Sequence, residues 1–118
     1  MTDNSGLVKE FLSHLQHSKR YSAHTLQAYR RDLQRYIGEL NKACAEADPK
    51  DIQRFVSGLH HRQLTAKTIQ RHLSAVRSFY EHLLRRQLIA VNPARLVSAP
   101  KAKRNLPKVL DADKASQL

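Results

Sequence analysis

Between Thr65 and Arg86 the chain sets Lys67, Arg71, Ser74 and Ser78 three or four residues apart. Side chains at that spacing share one face of an α-helix. Lys and Arg suit phosphate oxygens and the guanine edge, and hydroxyls bond phosphates at short range. Arg77 stands at the edge of this stripe, and no acid interrupts it before Glu81. A face that is merely solvated usually mixes the two signs of charge, so this run of donors points toward a polyanion. A weaker stripe lies upstream, where His24, Gln27, Ala28, Arg31 and Arg35 fall opposite an apolar face, with Ser22 and Thr25 in the first turn. The free N–H groups of a helix N-terminus suit a backbone phosphate. Asp32 and Glu39 lie near that second stripe, so a solvated face with local ion pairs explains it nearly as well.

A third basic feature runs from Asn92 to Leu110 (NPARLVSAPKAKRNLPKVL). It holds Arg95, Lys101, Lys103, Arg104 and Lys108 with no acid. Pro93, Pro100 and Pro107 each lack an N–H and bias the preceding residue toward extended geometry, so an extended strap is expected rather than a helix.

Other chemistries find less support. The seven histidines include the pairs His14/His17 and His60/His61, but Cys44 stands alone and no ligand set has metal spacing. His72 neighbours the donor stripe and fits either a nucleic-acid contact or helix filling. Neither G-x-x-x-x-G-K-[ST] nor G-x-G-x-x-G occurs, so no phosphate loop for a nucleotide is expected. Tyr29, Tyr36 and Tyr80 fall on apolar faces and read as core residues rather than nucleophiles. Tyr21 precedes a helix cap and is placed to staple it. No metal, cofactor or small-molecule substrate is expected.

The elements that position these side chains are helical, and no strand alternation competes with them. A first helix is predicted over Ser5 to Lys19, burying Leu7, Val8, Phe11, Leu12 and Leu15. A second runs from the Ser22 cap to about Leu40, with Leu26, Tyr29, Leu33, Tyr36, Ile37 and Leu40 inward. Asp48-Pro49 opens a third helix on Ile52, Phe55, Val56 and Leu59. The fourth, from Thr65 to about Arg86, buries Ile69, Leu73, Val76, Phe79, Tyr80, Leu83 and Leu84. Asn92-Pro93 repeats the cap-plus-Pro entry for a short fifth turn through Val97. Residues 41–47 read as a polar connection. The expected fold is all-α: a compact bundle of four main helices plus a short fifth helical turn, followed by an extended basic linker. Residues 1–97 form the bundle, 98–110 the linker, and 111–118 the start of a further domain.

Composition agrees. Residues 1–60 hold nine basic and seven acidic side chains (+2), and residues 61–118 hold twelve and three (+9), for a net charge of +11. Each phosphate that such charge neutralises releases counterions and adds salt-sensitive affinity. No apolar run reaches membrane-spanning length, no secretory signal is evident, and a single cysteine fits a reducing cytoplasm.

The runs Tyr21–Leu33 (YSAHTLQAYRRDL) and Thr65–Leu83 (TAKTIQRHLSAVRSFYEHL), with the Asn92–Leu110 strap, resemble the N-terminal core-binding (SAM-like) domain of Xer-type tyrosine recombinases. Within that family Ser98 to Lys101 (SAPK) is more similar to the XerC branch than to XerD. The resemblance implies a helical clamp on duplex DNA whose second and fourth helices approach the major groove. By position, Thr25 and Thr68 would hold phosphates, Lys67 and Arg71 would reach phosphates or base edges, and Gln27 and Ala28 would face the groove. Ser22, His24, Arg31, Ser74 and Arg77 are further candidates, and Lys101, Lys103 and Arg104 of the linker would lie along the backbone. The resemblance also implies a catalytic domain whose tyrosine forms a 3′-phosphotyrosine, though no H-x-x-R follows the linker and no Tyr follows Tyr80. This chain is therefore expected to bind without cleaving. A XerD-like recombinase and a septal DNA translocase are the protein partners implied, in chromosome-dimer resolution in a bacterial cytoplasm. Two other classes fit the bulk properties: a free-standing helical DNA-binding regulator, and a protein-interaction bundle whose basic face meets an acidic partner. The first usually joins its two helices by a tight turn, for which 41–47 is too long.

Overall fold

The computed structural model describes residues 3–99, and these contain helices and turns with no strand. Four α-helices form in order: α1 (Asn4–His17), α2 (Ala23–Glu39), α3 (Pro49–His61) and α4 (Ala66–Arg85). Each begins where a short polar side chain can take an orphan N–H. Asp3 accepts from Ser5, Ser22 from Thr25, Asp48 from Asp51 and Thr65 from Thr68. At α3 the exchange is reciprocal, because the Asp51 carboxylate also accepts the Asp48 N–H at 2.9 Å. Lys42 and Arg54 flank that carboxylate at 3.0 and 3.2 Å. The Asp48 backbone N–H and the Lys42 ammonium together hold its pKa below the usual carboxylate value.

Three helices stop without glycine. Arg20, Gln63 and Gln87 take the left-handed conformation, at φ 56°, 63° and 61°. The next N–H then folds back on the last turn: Leu64 onto the Leu59 carbonyl at 3.3 Å, and Leu88 onto Leu83 at 3.0 Å.

The apolar faces converge on one core, with α4 against each of the other three helices. Leu33, Ile52, Leu59, Ile69, Val76, Phe79, Tyr80 and Leu83 are all fully buried there. The inward rows predicted for α1 and α3 are buried throughout, and that of α4 is buried except for the half-buried Leu84; on α2 only Leu33 and Tyr36 are fully buried, while Leu26, Tyr29, Ile37 and Leu40 are half-buried against the core. The connection 41–47 is more ordered than a polar loop. It holds a 3₁₀ turn, Cys44–Glu46, pinned by the Asn4 side chain, which accepts from the Cys44 N–H at 2.8 Å and donates to the Lys42 carbonyl at 3.0 Å. Cys44 is wholly buried, which pushes its thiol pKa up to about 11.

Beneath that turn, the Tyr80 hydroxyl donates to the Cys44 carbonyl at 3.0 Å. Its oxygen lies 2.6 Å from the Tyr36 hydroxyl. A carbonyl can only accept, so the Tyr80 proton goes to Cys44 and Tyr36 must donate to Tyr80. This relay fastens α2, α4 and the 41–47 connection at one buried point.

The expected fifth helical turn forms as two overlapping i→i+3 turns over 93–96 rather than as a helix. They are closed by Arg95 N–H to the Asn92 carbonyl and Val97 N–H to Ala94. Asn92 caps the segment: its Oδ1 accepts the Ala94 N–H at 2.9 Å, and its Nδ2 reaches the Arg77 carbonyl and Glu81. Arg77 answers by donating Nε to the Ala94 carbonyl at 3.1 Å and Nη2 to that of Val97. The chain beyond Ala99 lies outside the described residues. So do Lys101, Lys103, Arg104, most of the 98–110 linker and the segment 111–118.

Candidate nucleic-acid interface

Helices α2 and α4 open in the same way. In each, a hydroxyl at the cap accepts the N–H of a threonine three residues on, Ser22 from Thr25 at 3.2 Å and Thr65 from Thr68 at 3.1 Å. The cap also donates its own proton to that threonine's hydroxyl, at 3.0 and 2.9 Å. Thr25 and Thr68 are thus held in fixed rotamers at equivalent positions, half-buried. Neither first turn carries an acid, so the positive end of each helix dipole is not neutralised from within.

From these starts the two stripes rise along the helices. On α2, His24, Gln27 and Arg31 are exposed, as is Ser22 before them, and Ala28 is half-buried. On α4, Lys67, Arg71 and Ser74 are exposed. The stripes meet at one ion pair. Asp32, one turn past Ala28, is only 3% exposed, and its carboxylate accepts Nε and Nη2 of Arg71, both at 2.9 Å. The Arg71 side chain is itself 57% exposed. Its guanidinium therefore covers the buried acid on one edge and faces solvent on the other.

His72 lies beneath this pair and is 3% exposed. Its Nδ1 donates to the Thr68 carbonyl at 2.8 Å, and its Nε2 stands 3.4 Å from Asp32. It fills the helix and backs the ion pair from inside. Two side chains that the helical wheel set on or beside the α4 stripe turn inward. Ser78 is half-buried beside Tyr29, and Arg77 spends its guanidinium on the carbonyls of the 92–97 segment. Both border the apolar row, Arg77 one turn from Leu73 and from Tyr80, and that adjacency is the signal that marks them.

Asp32 is the site residue that sequence reasoning missed. The expectation of a solvated acid with local ion pairs holds for the pairing but not for the exposure, since Asp32 is buried and pairs across helices with Arg71. Its place one turn before Tyr36, on the border of the apolar row, is the trace of this in the sequence. Away from the stripes, Arg62 pairs with Glu39, and Arg86 and His82 both hydrogen-bond Glu10. The Arg86 and His82 hydrogen bonds together hold the Glu10 pKa low. No cluster of His, Cys, Asp and Glu among the described residues has the form of a metal site. No described helix is long and apolar enough to cross a membrane.

The phage integrase N-terminal SAM-like domain matches residues 8–87, which take in most of α1, all of α2, α3 and α4, and both stripes. The chain belongs to that family. Relatives of this SAM-like domain carry the same resemblance further. It is 48% identical over 115 residues to a tyrosine recombinase XerC of Xanthomonas campestris pv. campestris (strain B100), covering 94% of this chain and 36% of that protein. A XerC of Xylella fastidiosa (strain M23) is 46% identical over 119 residues, 94% of this chain and 39% of its own length. A XerC of Pseudomonas aeruginosa (strain LESB58) is 41% identical over 112 residues, 92% and 37%. The SAM-like domain is thus XerC-like and N-terminal, and the chain spans somewhat over a third of the length of these recombinases. No solved structure matches it.

Proposed function

We propose that this SAM-like domain binds duplex DNA as the N-terminal clamp of a XerC-like site-specific tyrosine recombinase, and that it binds without cleaving. The observation that carries the reading is the meeting of two hydroxyl-capped donor stripes, whose first turns carry no acid, at the Asp32–Arg71 pair, which presents an arginine on a fixed base between them. Thr25 and Thr68, with the free N–H groups beside them, take backbone phosphates. Lys67 takes a phosphate and Arg71 a phosphate or a guanine edge. Gln27 and Ala28 face the groove, while Ser22, His24, Arg31 and Ser74 line its approach. Arg77 acts from behind by holding the 92–97 segment against α4. Lys101, Lys103 and Arg104 extend the contact along the backbone toward a catalytic half.

On this reading residues 1–97 are the clamp, 98–110 the linker, and 111–118 the entry to the catalytic domain. The whole protein breaks and rejoins strands through a 3′-phosphotyrosine and pairs with a XerD-like recombinase to resolve chromosome dimers at cell division. A septal DNA translocase acts on that assembly in the bacterial cytoplasm.

The test is a fluorescence-anisotropy titration of a labelled duplex, enriched by the chain from a randomised library, against unselected DNA at several salt concentrations. Affinity should fall steeply with salt, and Lys67→Ala should lower the slope of log affinity against log salt by about one. Binding that is absent or insensitive to salt contradicts the proposal. Binding to an acidic protein surface without binding to duplex would favour the interaction-bundle alternative.

A further inference from the structure

The Asp32–Arg71 pair uses one edge of a guanidinium and leaves the other open. Nε and Nη2 each give one N–H to the carboxylate, at 2.9 Å and in a fork. Arg carries five N–H donors in a plane, so both protons of Nη1 and one of Nη2 remain, aimed away from Asp32. Two of those remaining protons are parallel and match a guanine O6/N7 edge or two phosphate oxygens. The carboxylate that holds the first edge cannot follow the side chain outward. It is 3% exposed on α2, with His72 packed behind it and Nε2 of that ring 3.4 Å away.

We infer that Asp32 is a positioning residue for DNA recognition, holding Arg71 by its inner edge so that its outer edge meets the duplex already oriented. The inference rests on the DNA-binding reading of the α2/α4 face. It differs from a merely structural ion pair in that the pair persists in the complex and sets how well Arg71 discriminates between sequences. It differs from an autoinhibitory contact in that DNA does not pull Arg71 off Asp32.

Removing the negative charge gives a test of sign. Asp32→Asn raises the net charge by one, which by itself tightens binding to any polyanion. The positioning role predicts the reverse on the selected duplex: affinity about three- to tenfold weaker, the range expected when a long side chain must be ordered on binding. Unselected duplex should bind the variant as well as, or better than, the wild type, so the ratio of the two affinities falls. In an Arg71→Lys background, where a single ammonium cannot serve two edges, Asp32→Asn should cost no further selectivity.

A measurement on the unaltered chain stands beside these in case Asp32→Asn does not fold. The Arg71 Nε–H resonance should stay slowly exchanging when the selected duplex is added, while the Nη signals shift. An Asp32→Asn variant that folds and keeps the selectivity of the wild type overturns the positioning role. So does an Arg71 Nε–H that loses its protection on binding DNA. Either result leaves DNA binding standing if the wild-type chain still binds duplex, whereas a wild-type chain that binds no duplex removes both readings together.

Discussion

Replacing Tyr80 by Phe removes one oxygen atom and breaks a three-membered relay. The Tyr80 hydroxyl donates to the Cys44 carbonyl and accepts from Tyr36, and both tyrosines are at most 1% exposed. The two losses are unequal. The Cys44 carbonyl retains the Ala47 N–H at 3.2 Å, so it is weakened rather than orphaned. The Tyr36 hydroxyl has no other hydrogen-bond partner among the described residues, and Tyr36 is only 1% exposed. A net hydrogen bond contributes about 1 kcal/mol, and a buried polar group left unpaired costs about 1–3 kcal/mol more, so Tyr80→Phe should destabilise by roughly 2–4 kcal/mol. At about 4–8 °C per kcal/mol for a domain of this size, Tm falls by roughly 8–30 °C.

Tyr36→Phe removes only the end of the relay and leaves the Tyr80–Cys44 bond, for about 0.5–1.5 kcal/mol. The double variant discards the orphaned donor along with its partner. It should be more stable than Tyr80→Phe alone, a coupling that a double-mutant cycle reads directly. Thermal unfolding of the three variants by circular dichroism gives the comparison. If Tyr36→Phe costs as much as Tyr80→Phe, or the two losses add, the direction assigned to the relay is wrong.

Arg77→Ala should free the 92–97 segment, with a Tm lowered by several degrees and faster tryptic cleavage after Arg95; an unchanged digestion rate would mean that Asn92 alone holds the segment. Asp51→Asn should cost about 1 kcal/mol at neutral pH by weakening the reciprocal cap of α3. Because the folded state lowers the pKa of Asp51 from its ordinary 3.8, that contribution is complete above the ordinary value and is lost as pH falls through the lower folded one. The stability gap between wild type and variant should therefore close in acid, as urea titrations across that range would show. Gln87→Gly should raise Tm slightly, since a side chain at φ 61° is strained by about 1 kcal/mol, partly offset by the extra freedom of glycine when unfolded.

The helices were legible because their evidence is local. A 3.6-residue rhythm of large apolar side chains and the caps Ser22, Asp48 and Thr65 place α2, α3 and α4 within a residue or so of where they lie. The stops after α1, α3 and α4 were harder to read, since Arg20, Gln63 and Gln87 occupy positions where glycine is the usual marker. The 3₁₀ turn at Cys44 was hidden for another reason: its supports, Asn4 and Tyr80, are distant in sequence and meet it only once the bundle has closed. The donor stripes follow from spacing along single helices, so Lys67, Arg71 and Ser74 are exposed where the wheel sets them. Asp32, Arg77 and Ser78 lie at the boundary of the apolar row, where a few degrees of helix rotation decide between solvent and a neighbouring helix. That rotation is a property of the packed pair α2/α4 and is written in neither helix alone.

The face joined by Asp32 and Arg71 is the one proposed to hold DNA. Amide chemical-shift mapping of the uniformly labelled chain during titration with the selected duplex addresses it most directly. The largest shifts should fall at Thr25, Gln27, Arg31, Lys67, Thr68 and Arg71, with α3 and residues 88–91 scarcely moved. Shifts concentrated on α3 or on residues 88–91, with the openings of α2 and α4 unmoved, would contradict it.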